Sequence, residues 1–249
     1  SEELSLKEHR NRTGNFFRKT QQPFEAERKT GNIVYHFAKT RINAGIQKDK
    51  DRLIASAAHN SDIEIPCREG IAYKPYQKAG IAFMLRGSNI LLADQMRLGK
   101  TIQVIGYINA SKSIKKTLLI CPSTLKLNWA KEFSKWLTRP FKIHIHINVD
   151  ITGASFSKPV KGSEITYGTV IPKDTDIIII NYEQTIGGKM FNELMSRNYD
   201  LLVVDESHRL KSMKTKRTKS IIGDIKSKEK GIIEKSWKKI FITGTPIPN

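Results

Sequence analysis

The sequence predicts an α/β fold in which a mostly parallel sheet is covered by helices on both faces. Several short runs are almost wholly apolar and rich in β-branched residues, as in strands that are buried on both sides of a sheet. Amphipathic segments separate most of these runs, which is the alternation expected of parallel strands joined by helices. Polar motifs follow the runs, at the strand ends where sheets of this class bind their ligands.

The individual elements follow from these patterns. Buried strands are predicted at the apolar runs 90–93, 117–121, 176–181, 200–205 and 239–243. Helices are predicted to begin at Pro75 and to cover 102–110, 124–137 and about 191–195. Residues 142–147 alternate as a further strand, whereas 150–175, which contains Gly, Ser, Thr and Pro, is predicted to be a loop or a small hairpin.

The histidines and cysteines do not indicate a metal site. His144 and His146 face the same side of the alternating strand, but no third candidate ligand is near, so we interpret them as exposed strand residues. Cys67 and Cys121 have neither a metal-type spacing nor a disulfide framework.

Length and composition predict an intracellular protein without a membrane partner. Of the 249 residues 39% are hydrophobic, which is enough for a core, and no apolar run approaches the roughly 20 residues that span a bilayer. No secretory signal is visible. We assign residues 66–249 to the main domain. Residues 1–65 are polar and predict a helical N-terminal extension, with a helix at 41–59, whose role as an accessory structural segment is favoured over DNA contact.

Basic residues are abundant and unevenly spread. The formal charge is +19, and residues 206–240 hold 12 Lys and Arg against 4 Asp and Glu. Residues 211–219 hold five bases and no acid. Clustered bases that directly follow an acidic motif are well placed to meet phosphates, so the sequence predicts a nucleic acid bound through its backbone.

One stretch, residues 89–101, combines a buried strand, a tight turn and the start of a helix. It reads N-I-L-L-A-D-Q-M-R-L-G-K-T, with Asp94 where the standard phosphate-loop pattern begins with glycine. Backbone N–H groups and the dipole of a helix N-terminus favour an anion, so this layout predicts a phosphate-binding loop. We expect Lys100 to reach the outer phosphates of a nucleotide and the Thr101 hydroxyl to ligate Mg²⁺. The candidate nucleotide contacts of the loop are Met96, Arg97, Leu98, Gly99, Lys100 and Thr101.

A pair of acids and a glutamine complete the candidate nucleotide site. Asp205 ends a buried strand and is expected to hold magnesium, directly or through water, while Glu206 polarises the attacking water. Because phosphoryl transfer depends mainly on positioning and charge, Lys100, Asp205 and Glu206 are the catalytic candidates. Gln77, preceded by Tyr76, has a side-chain amide with both a donor and an acceptor, as pairing with the adenine edge requires.

These motifs resemble, in their order, those of superfamily-2 helicases. In detail they are similar to the Swi/Snf-type branch, especially its annealing-helicase-like members. The resemblance covers about residues 70–249 and includes seven motifs, at 76–77, 92–101, 121–123, 128–129, 181–183, 205–211 and 243–249. It implies a RecA-like P-loop NTPase lobe that binds ATP and Mg²⁺ and moves on double-stranded DNA together with a second RecA-like lobe.

The resemblance also implies roles for single residues. It assigns adenine recognition to Gln77, and it assigns the coupling of hydrolysis to DNA contact to His208, Thr243, Gly244 and Thr245. It places Trp129 beneath the DNA path, where packing in the core is the favoured interpretation. The candidate DNA contacts are Ser123, Lys126, Asn128, Tyr182, Arg209, Lys211, Lys214 and Lys216.

The chain departs from the family pattern in two places. Arg97 stands where the family has glycine, which costs about 1–2 kcal/mol if the backbone there is left-handed. Its side chain either crowds the nucleotide or points outward. The chain also stops at Asn249, just after the 243–249 motif, so the second lobe with its arginine finger is absent. We therefore expect a fragment of a longer protein that binds DNA and ATP but turns over poorly alone.

Three other functions compete with that of a DNA translocase. A strand-separating helicase of the same superfamily differs in needing a separation element, which the sequence does not show. A nucleic-acid-binding module with impaired ATPase is motivated by Arg97 and the missing lobe. A small-molecule kinase is disfavoured, because nothing resembles an acceptor site and the charge fits DNA better.

Overall fold

The computed structural model describes residues 61–94, 97–151, 153–224 and 227–244. Most of the predicted N-terminal extension, including its helix at 41–59, therefore lies outside the described residues. The described part of the extension, 61–65, forms neither helix nor strand. Within the described ranges, no helix is long and apolar enough to cross a membrane.

The main domain is built on a seven-stranded sheet with the order β1-β9-β6-β2-β5-β3-β4. Every neighbouring pair in this sheet is parallel. Its strands are β1 (Asn89–Leu92), β2 (Thr117–Cys121), β3 (Lys142–His146), β4 (Glu164–Gly168), β5 (Ile177–Asn181), β6 (Tyr199–Val204) and β9 (Ser236–Ile242). A separate antiparallel hairpin is formed by β7 (Gly223–Asp224) and β8 (Glu229–Lys230).

Five α-helices in the described residues connect and cover these strands. They are α1 (Pro75–Leu85), α2 (Lys100–Ala110), α3 (Lys126–Trp136), α4 (Gly188–Ser196) and α5 (Lys216–Ile222). Short 3₁₀ turns follow three of the strands and precede a fourth, at Ser123–Leu125, Tyr182–Thr185, Ser207–Leu210 and Ile232–Lys235. The strands and helices predicted within the described residues are confirmed, with ends that differ by a few residues.

The sheet carries a hydrophobic core on each face, as predicted for a fully covered parallel sheet. Along β2, Leu119 and Cys121 pack with α1, α2 and α3, whereas Leu118 and Ile120 pack with α4 and α5. All four side chains are completely buried. Each such aliphatic side chain stabilises the fold by about 1.5–3 kcal/mol relative to an exposed one. This double burial explains why the strands consist of continuous apolar runs.

The prediction for residues 150–175 was wrong in one respect. The stretch contains β4, which pairs in parallel with β3 and forms one edge of the sheet. Its five residues are partly exposed, with Tyr167 40% exposed, because an edge strand has a partner on one side alone. The flanking Gly, Ser and Pro residues hid this short strand in the sequence.

The histidines of β3 are buried and not exposed as predicted. His144 is 1% exposed and His146 6%, because β3 is an interior strand between β4 and β5. The two rings do lie on the same side, 6.3 Å apart, and His144 Nδ1 lies 2.9 Å from Thr166 Oγ1 of β4. Burial lowers the pKa of both rings, which favours their neutral forms.

Candidate functional site

The chain turns sharply between β1 and α2, at the predicted phosphate-binding loop. Gly99 precedes the first residue of α2 with a left-handed backbone, at φ 68°. Arg97 has the same φ of 68°, so the position that was suspected of needing a left-handed backbone does need one. The Arg97 side chain is exposed. Leu98 is half-buried between them, and Met96 lies outside the described residues.

Gln77 packs directly against this loop. Its side chain is 4% exposed, and its Oε1 accepts a hydrogen bond from the Lys74 backbone N–H at 2.9 Å. A Cβ atom at Gly99 would lie 2.5 Å from Gln77 Nε2, so glycine allows the close approach as well as the left-handed backbone. Tyr76 is half-buried beside it. The helix start thus brings the predicted adenine contact to the predicted phosphate loop.

Lys100 closes the loop across its own turn. Its Nζ donates a hydrogen bond to the Asp94 carbonyl oxygen at 2.7 Å. The Asp94 carboxylate in turn accepts a hydrogen bond from Gln103 Nε2 at 3.0 Å. Gln103 is fully buried on α2, and sequence reasoning missed it, although a polar side chain one turn after Lys100 on an apolar helix was a usable signal. Asp94 stands where the phosphate-loop pattern has glycine. Its side chain is accommodated there, because the carboxylate accepts a hydrogen bond from α2 and thereby links the loop to this helix.

Asp205 lies where β6 ends, buried with 8% exposure. Its Oδ2 accepts a hydrogen bond from Trp129 Nε1 at 2.8 Å, and its Oδ1 accepts one from the Glu206 backbone N–H at 2.9 Å. Burial raises the pKa of Asp205, while these two hydrogen bonds and the charge of Lys100 oppose that rise. The loop follows β1 and the acidic motif follows β6, and both strands pair in parallel with β9, so the loop and the motif lie at the same end of the sheet.

Glu206 and His208 connect the acidic motif to the end of β9. Glu206 has a left-handed backbone, with φ 52°, and its Oε2 lies 3.1 Å from His208 Nδ1. The same imidazole nitrogen lies 3.4 Å from Thr243 Oγ1. Thr243 is buried next to β1, with its backbone N–H donating to the Leu92 carbonyl oxygen at 3.1 Å. Of the remaining coupling candidates, Gly244 follows directly and Thr245 lies outside the described residues.

The donor set fits a magnesium ion that arrives with a nucleotide. Thr101 and Asp205 offer a hydroxyl and a carboxylate, which are the hard oxygen ligands that Mg²⁺ prefers. Nowhere in the described ranges do three His, Cys, Asp or Glu side chains cluster as a metal site. Because Mg²⁺ in nucleotide sites is held by one or two protein groups and by the phosphates, this sparse set suits Mg²⁺-ATP.

Six of the eight candidate DNA contacts are exposed. Ser123 and Asn128 lie between β2 and the middle of α3, close to the carboxyl edge of the sheet. The exposed bases follow the acidic motif directly, up to the start of α5, and are Arg209, Lys211, Lys214 and Lys216. A cationic surface therefore adjoins the candidate nucleotide site.

Lys126 and Tyr182 do not fit the DNA contact predicted for them. Lys126 is 3% exposed, and its Nζ donates to the His146 carbonyl oxygen at 2.7 Å and to Asn181 Oδ1 at 2.9 Å. Burial lowers the pKa of its ammonium. Tyr182 is fully buried and its hydroxyl donates to the Asp205 carbonyl oxygen. Both side chains form buried hydrogen bonds at the strand ends and are not accessible to a DNA phosphate.

Trp129 lies in the core as predicted, but its hydrogen bond to Asp205 was missed. Arg217 was also missed as an individual residue, although it lies in the basic run. Its Nη2 lies 3.1 Å from Glu183 Oε1, and its guanidinium carbon lies 5.4 Å from the centroid of the Tyr182 ring. None of these three contacts has a signal in the sequence, because each joins elements that are far apart along the chain.

Comparison with known proteins places this geometry in a family. Residues 76–249 match the model of the SNF2-related domain. The human DNA repair and recombination protein RAD54B is 34% identical over 195 residues, and the bovine DNA annealing helicase and endonuclease ZRANB3 is 30% identical over 173. These alignments cover 71% and 69% of this chain but 19% and 14% of the relatives, so the chain spans about a fifth of their length or less.

A solved structure supports the same assignment. The Sulfolobus solfataricus SWI2/SNF2 ATPase core in complex with dsDNA superposes with a TM-score of 0.53 and 25% sequence identity. The match covers 76% of this chain and 34% of the archaeal one. The parallel sheet, the order of the motifs at its carboxyl edge and the match of the family model agree. The chain therefore belongs to the SNF2-related domain family.

Proposed function

We propose that this chain is the ATP-binding lobe of a DNA-stimulated ATPase that translocates on, or remodels, double-stranded DNA. The observation that carries the proposal is that Lys100, Asp205, His208 and Thr243 follow the carboxyl ends of the neighbouring strands β1, β6 and β9, next to the exposed basic segment that begins at Arg209. The relatives support it, since RAD54B and ZRANB3 are named for DNA repair and DNA annealing, and the archaeal ATPase core is bound to dsDNA.

Each residue near the loop has a definite task in this function. Lys100 exchanges its Asp94 carbonyl acceptor for the outer phosphates of ATP, and Gln77 holds the adenine edge. Thr101 and Asp205 would hold Mg²⁺, which would neutralise phosphate charge. Glu206 orients and polarises the attacking water. His208, between Glu206 and Thr243, joins the hydrolytic group to the 243–245 coupling motif.

DNA is bound through its phosphates. Side chains of Lys and Arg that contact phosphates position a protein on the duplex without reading its sequence. We therefore expect binding to depend strongly on salt and little on sequence. A DNA partner also implies an intracellular location for the protein.

The complete reaction needs a second RecA-like lobe of the same protein. Phosphoryl transfer gains much of its rate from an arginine that reaches the transferred phosphate, and the family resemblance assigns that arginine to the second lobe. We expect this lobe alone to bind Mg²⁺-ATP and DNA but to hydrolyse ATP slowly. Supplying the second lobe should raise the rate.

The direct test is calorimetric titration of a non-hydrolysable Mg²⁺-ATP analogue into the chain, with and without a duplex oligonucleotide. Saturable binding of both ligands supports the proposal. A chain that binds duplex DNA but no nucleotide would instead be a nucleic-acid-binding module with impaired ATPase.

That second candidate is favoured by one observation, the left-handed backbone at Arg97. We expect Arg97→Gly to relieve about 1–2 kcal/mol of backbone strain and to tighten binding of the Mg²⁺-ATP analogue by up to about 30-fold. Titration of Arg97→Ala separates the causes, because alanine removes the guanidinium but keeps the strained backbone.

The matched control for Arg97→Gly is Lys228→Gly. Lys228 is exposed, has φ 57°, and lies in the β7–β8 turn. Its replacement should relieve similar strain without changing nucleotide affinity. If Arg97→Gly and wild type bind the analogue equally well, the arginine does not impair the loop, and the observation that favours the second candidate no longer supports it.

The basic segment gives a further prediction. The triple variant Lys211→Ala, Lys214→Ala and Lys216→Ala should weaken duplex binding. It should also reduce the slope of log K against log salt by up to about 0.9 for each phosphate that a lysine no longer neutralises. Fluorescence anisotropy of a labelled duplex at several salt concentrations measures both quantities.

The control for this prediction removes three lysines that lie near the amino ends of the strands, on the side of the sheet away from the candidate site. Lys112 and Lys115 precede β2, Lys173 precedes β5, and all three are exposed. Their triple alanine variant changes the net charge equally. Equal losses in the two triple variants would mean that total charge, and not the segment after the acidic motif, governs DNA binding.

A further inference from the structure

Two buried aromatic side chains hold Asp205, and the function proposed above does not use either of them. Trp129 Nε1 donates to Asp205 Oδ2 at 2.8 Å, and the Tyr182 hydroxyl donates to the Asp205 carbonyl oxygen. Trp129 is 1% exposed and Tyr182 is fully buried. Because neither side chain reaches the surface, neither can contact a ligand directly, and each donates its hydrogen bond to Asp205.

The two aromatic residues approach Asp205 from opposite sides of the sheet. Trp129 belongs to α3 and to the core on one face, whereas Tyr182 follows β5 and belongs to the core on the other face. Trp129 fixes the carboxylate and Tyr182 fixes the backbone that carries it. Asp205 is therefore held by hydrogen bonds from two elements that are far apart in the sequence, α3 and the turn after β5.

Hydrogen bonds to both of its oxygens fix the orientation of the Asp205 carboxylate. Oδ2 faces the indole N–H and Oδ1 faces the Glu206 N–H, so rotation about the bond that carries the carboxylate would break both hydrogen bonds. Each oxygen keeps a further lone pair for another partner. A carboxylate that binds a metal ion needs such outer partners, because they orient the ligand before the ion arrives.

We propose that Trp129 and Tyr182 are positioning residues that orient Asp205 for Mg²⁺ in the nucleotide site. The inference rests on the proposed function, in which Asp205 holds this ion. Removing either donor leaves Asp205 in place but less well oriented. Loss of such outer partners typically weakens metal binding by about 10–100-fold. Nucleotide binding that does not involve the metal should be preserved.

The test compares Trp129→Phe and Tyr182→Phe with two matched controls. Trp136 lies on the same helix as Trp129, and Tyr107 is fully buried like Tyr182. The Trp136 Nε1 and Tyr107 hydroxyl atoms are buried without a hydrogen-bond partner among the described residues. Trp136→Phe and Tyr107→Phe therefore make the same chemical changes without removing a bond to Asp205.

Affinity for the ATP analogue is measured by calorimetry in excess Mg²⁺ and in excess EDTA. For Trp129→Phe and Tyr182→Phe we expect about 10–100-fold weaker binding in Mg²⁺ and wild-type binding in EDTA. The controls should match wild type in both conditions. Wild-type affinity of both variants in Mg²⁺, or an equal loss in Mg²⁺ and EDTA, would overturn the inference while leaving the proposed function standing. A wild-type chain that gains nothing from Mg²⁺ would overturn both.

A spectroscopic measurement covers the case in which a variant does not fold. The chain has three tryptophans, and in a Trp136→Phe, Trp237→Phe background the emission comes from Trp129 alone. Binding of Mg²⁺ with the ATP analogue should change that emission, whereas the analogue in EDTA should change it less. Identical spectra with and without Mg²⁺ would show that Asp205 and its indole donor do not respond to the ion.

Discussion

Replacing Lys100 with alanine should lower the affinity for a Mg²⁺-bound ATP analogue by about 30-fold or more. Removing one partner of a desolvated charge pair costs about 2–5 kcal/mol, and its lower end is about 30-fold in affinity. The ammonium already lies inside the loop, 2.7 Å from the Asp94 carbonyl oxygen, so it needs little movement to meet phosphates. Calorimetric titration of the analogue measures the loss.

The same variant should remain folded. In the absence of nucleotide, Lys100 contributes the hydrogen bond to Asp94, whose loss costs about 1 kcal/mol, or roughly 2–4 °C of melting temperature for a protein of this size. Lys112→Ala is the matched control, because this exposed lysine lies just after the end of α2. Undiminished binding by Lys100→Ala, or an equal loss in Lys112→Ala, would contradict the role of the loop lysine.

The sheet was largely predictable because its interior strands are buried on both faces. A run such as Ile177–Asn181, which is buried along its whole length, leaves the same apolar pattern in any sequence context. The edge strand Glu164–Gly168 has no such pattern, since none of its five residues is buried. The alternation of residues 142–147 predicted one exposed face, whereas His144 and His146 are buried because β3 lies inside the sheet, between β4 and β5.

The residues of the candidate site were predictable where a motif directly follows a buried strand. They were less predictable where the side chain is buried in the core. Lys126 was a candidate DNA contact, together with Ser123 and Asn128. Helical spacing, however, places it on the same face as Trp129 and Phe133, which are buried. This signal was present in the sequence. The burial of Tyr182 had no such signal, since it depends on packing against β6 and α5.

Replacing Gly231 with alanine should cost about 3 kcal/mol or more of folding free energy. Gly231 follows β8, and its Cβ would lie 2.2 Å from Gly223 N, 2.4 Å from Ile222 C and 2.6 Å from Ile221 O. These are backbone atoms where α5 ends and β7 begins, and they cannot turn aside like a flexible side chain. Overpacking costs about 1–3 kcal/mol, occasionally more, and a clash with backbone belongs at the upper end of that range.

The expected readout is a lower melting temperature, by roughly 6–12 °C for a protein of this size. Gly153→Ala is the matched control, because its Cβ would meet nothing within 4 Å and its φ is not positive. That variant should melt at or slightly above the wild-type temperature, since alanine restricts the unfolded chain. The comparison separates a lack of space at Gly231 from the general effect of replacing glycine.

The Gly231 variant also tests how α5 is held. Ile221 of α5 is fully buried, and Ile232, which follows Gly231, packs in the same core. An alanine that pushes these segments apart shifts the helix that begins with Lys216, so duplex binding should weaken along with stability. Gly153→Ala should leave duplex binding unchanged. If Gly231→Ala melts like Gly153→Ala, the backbone at the end of α5 yields at little cost and the close approach of the two segments is not needed for the fold.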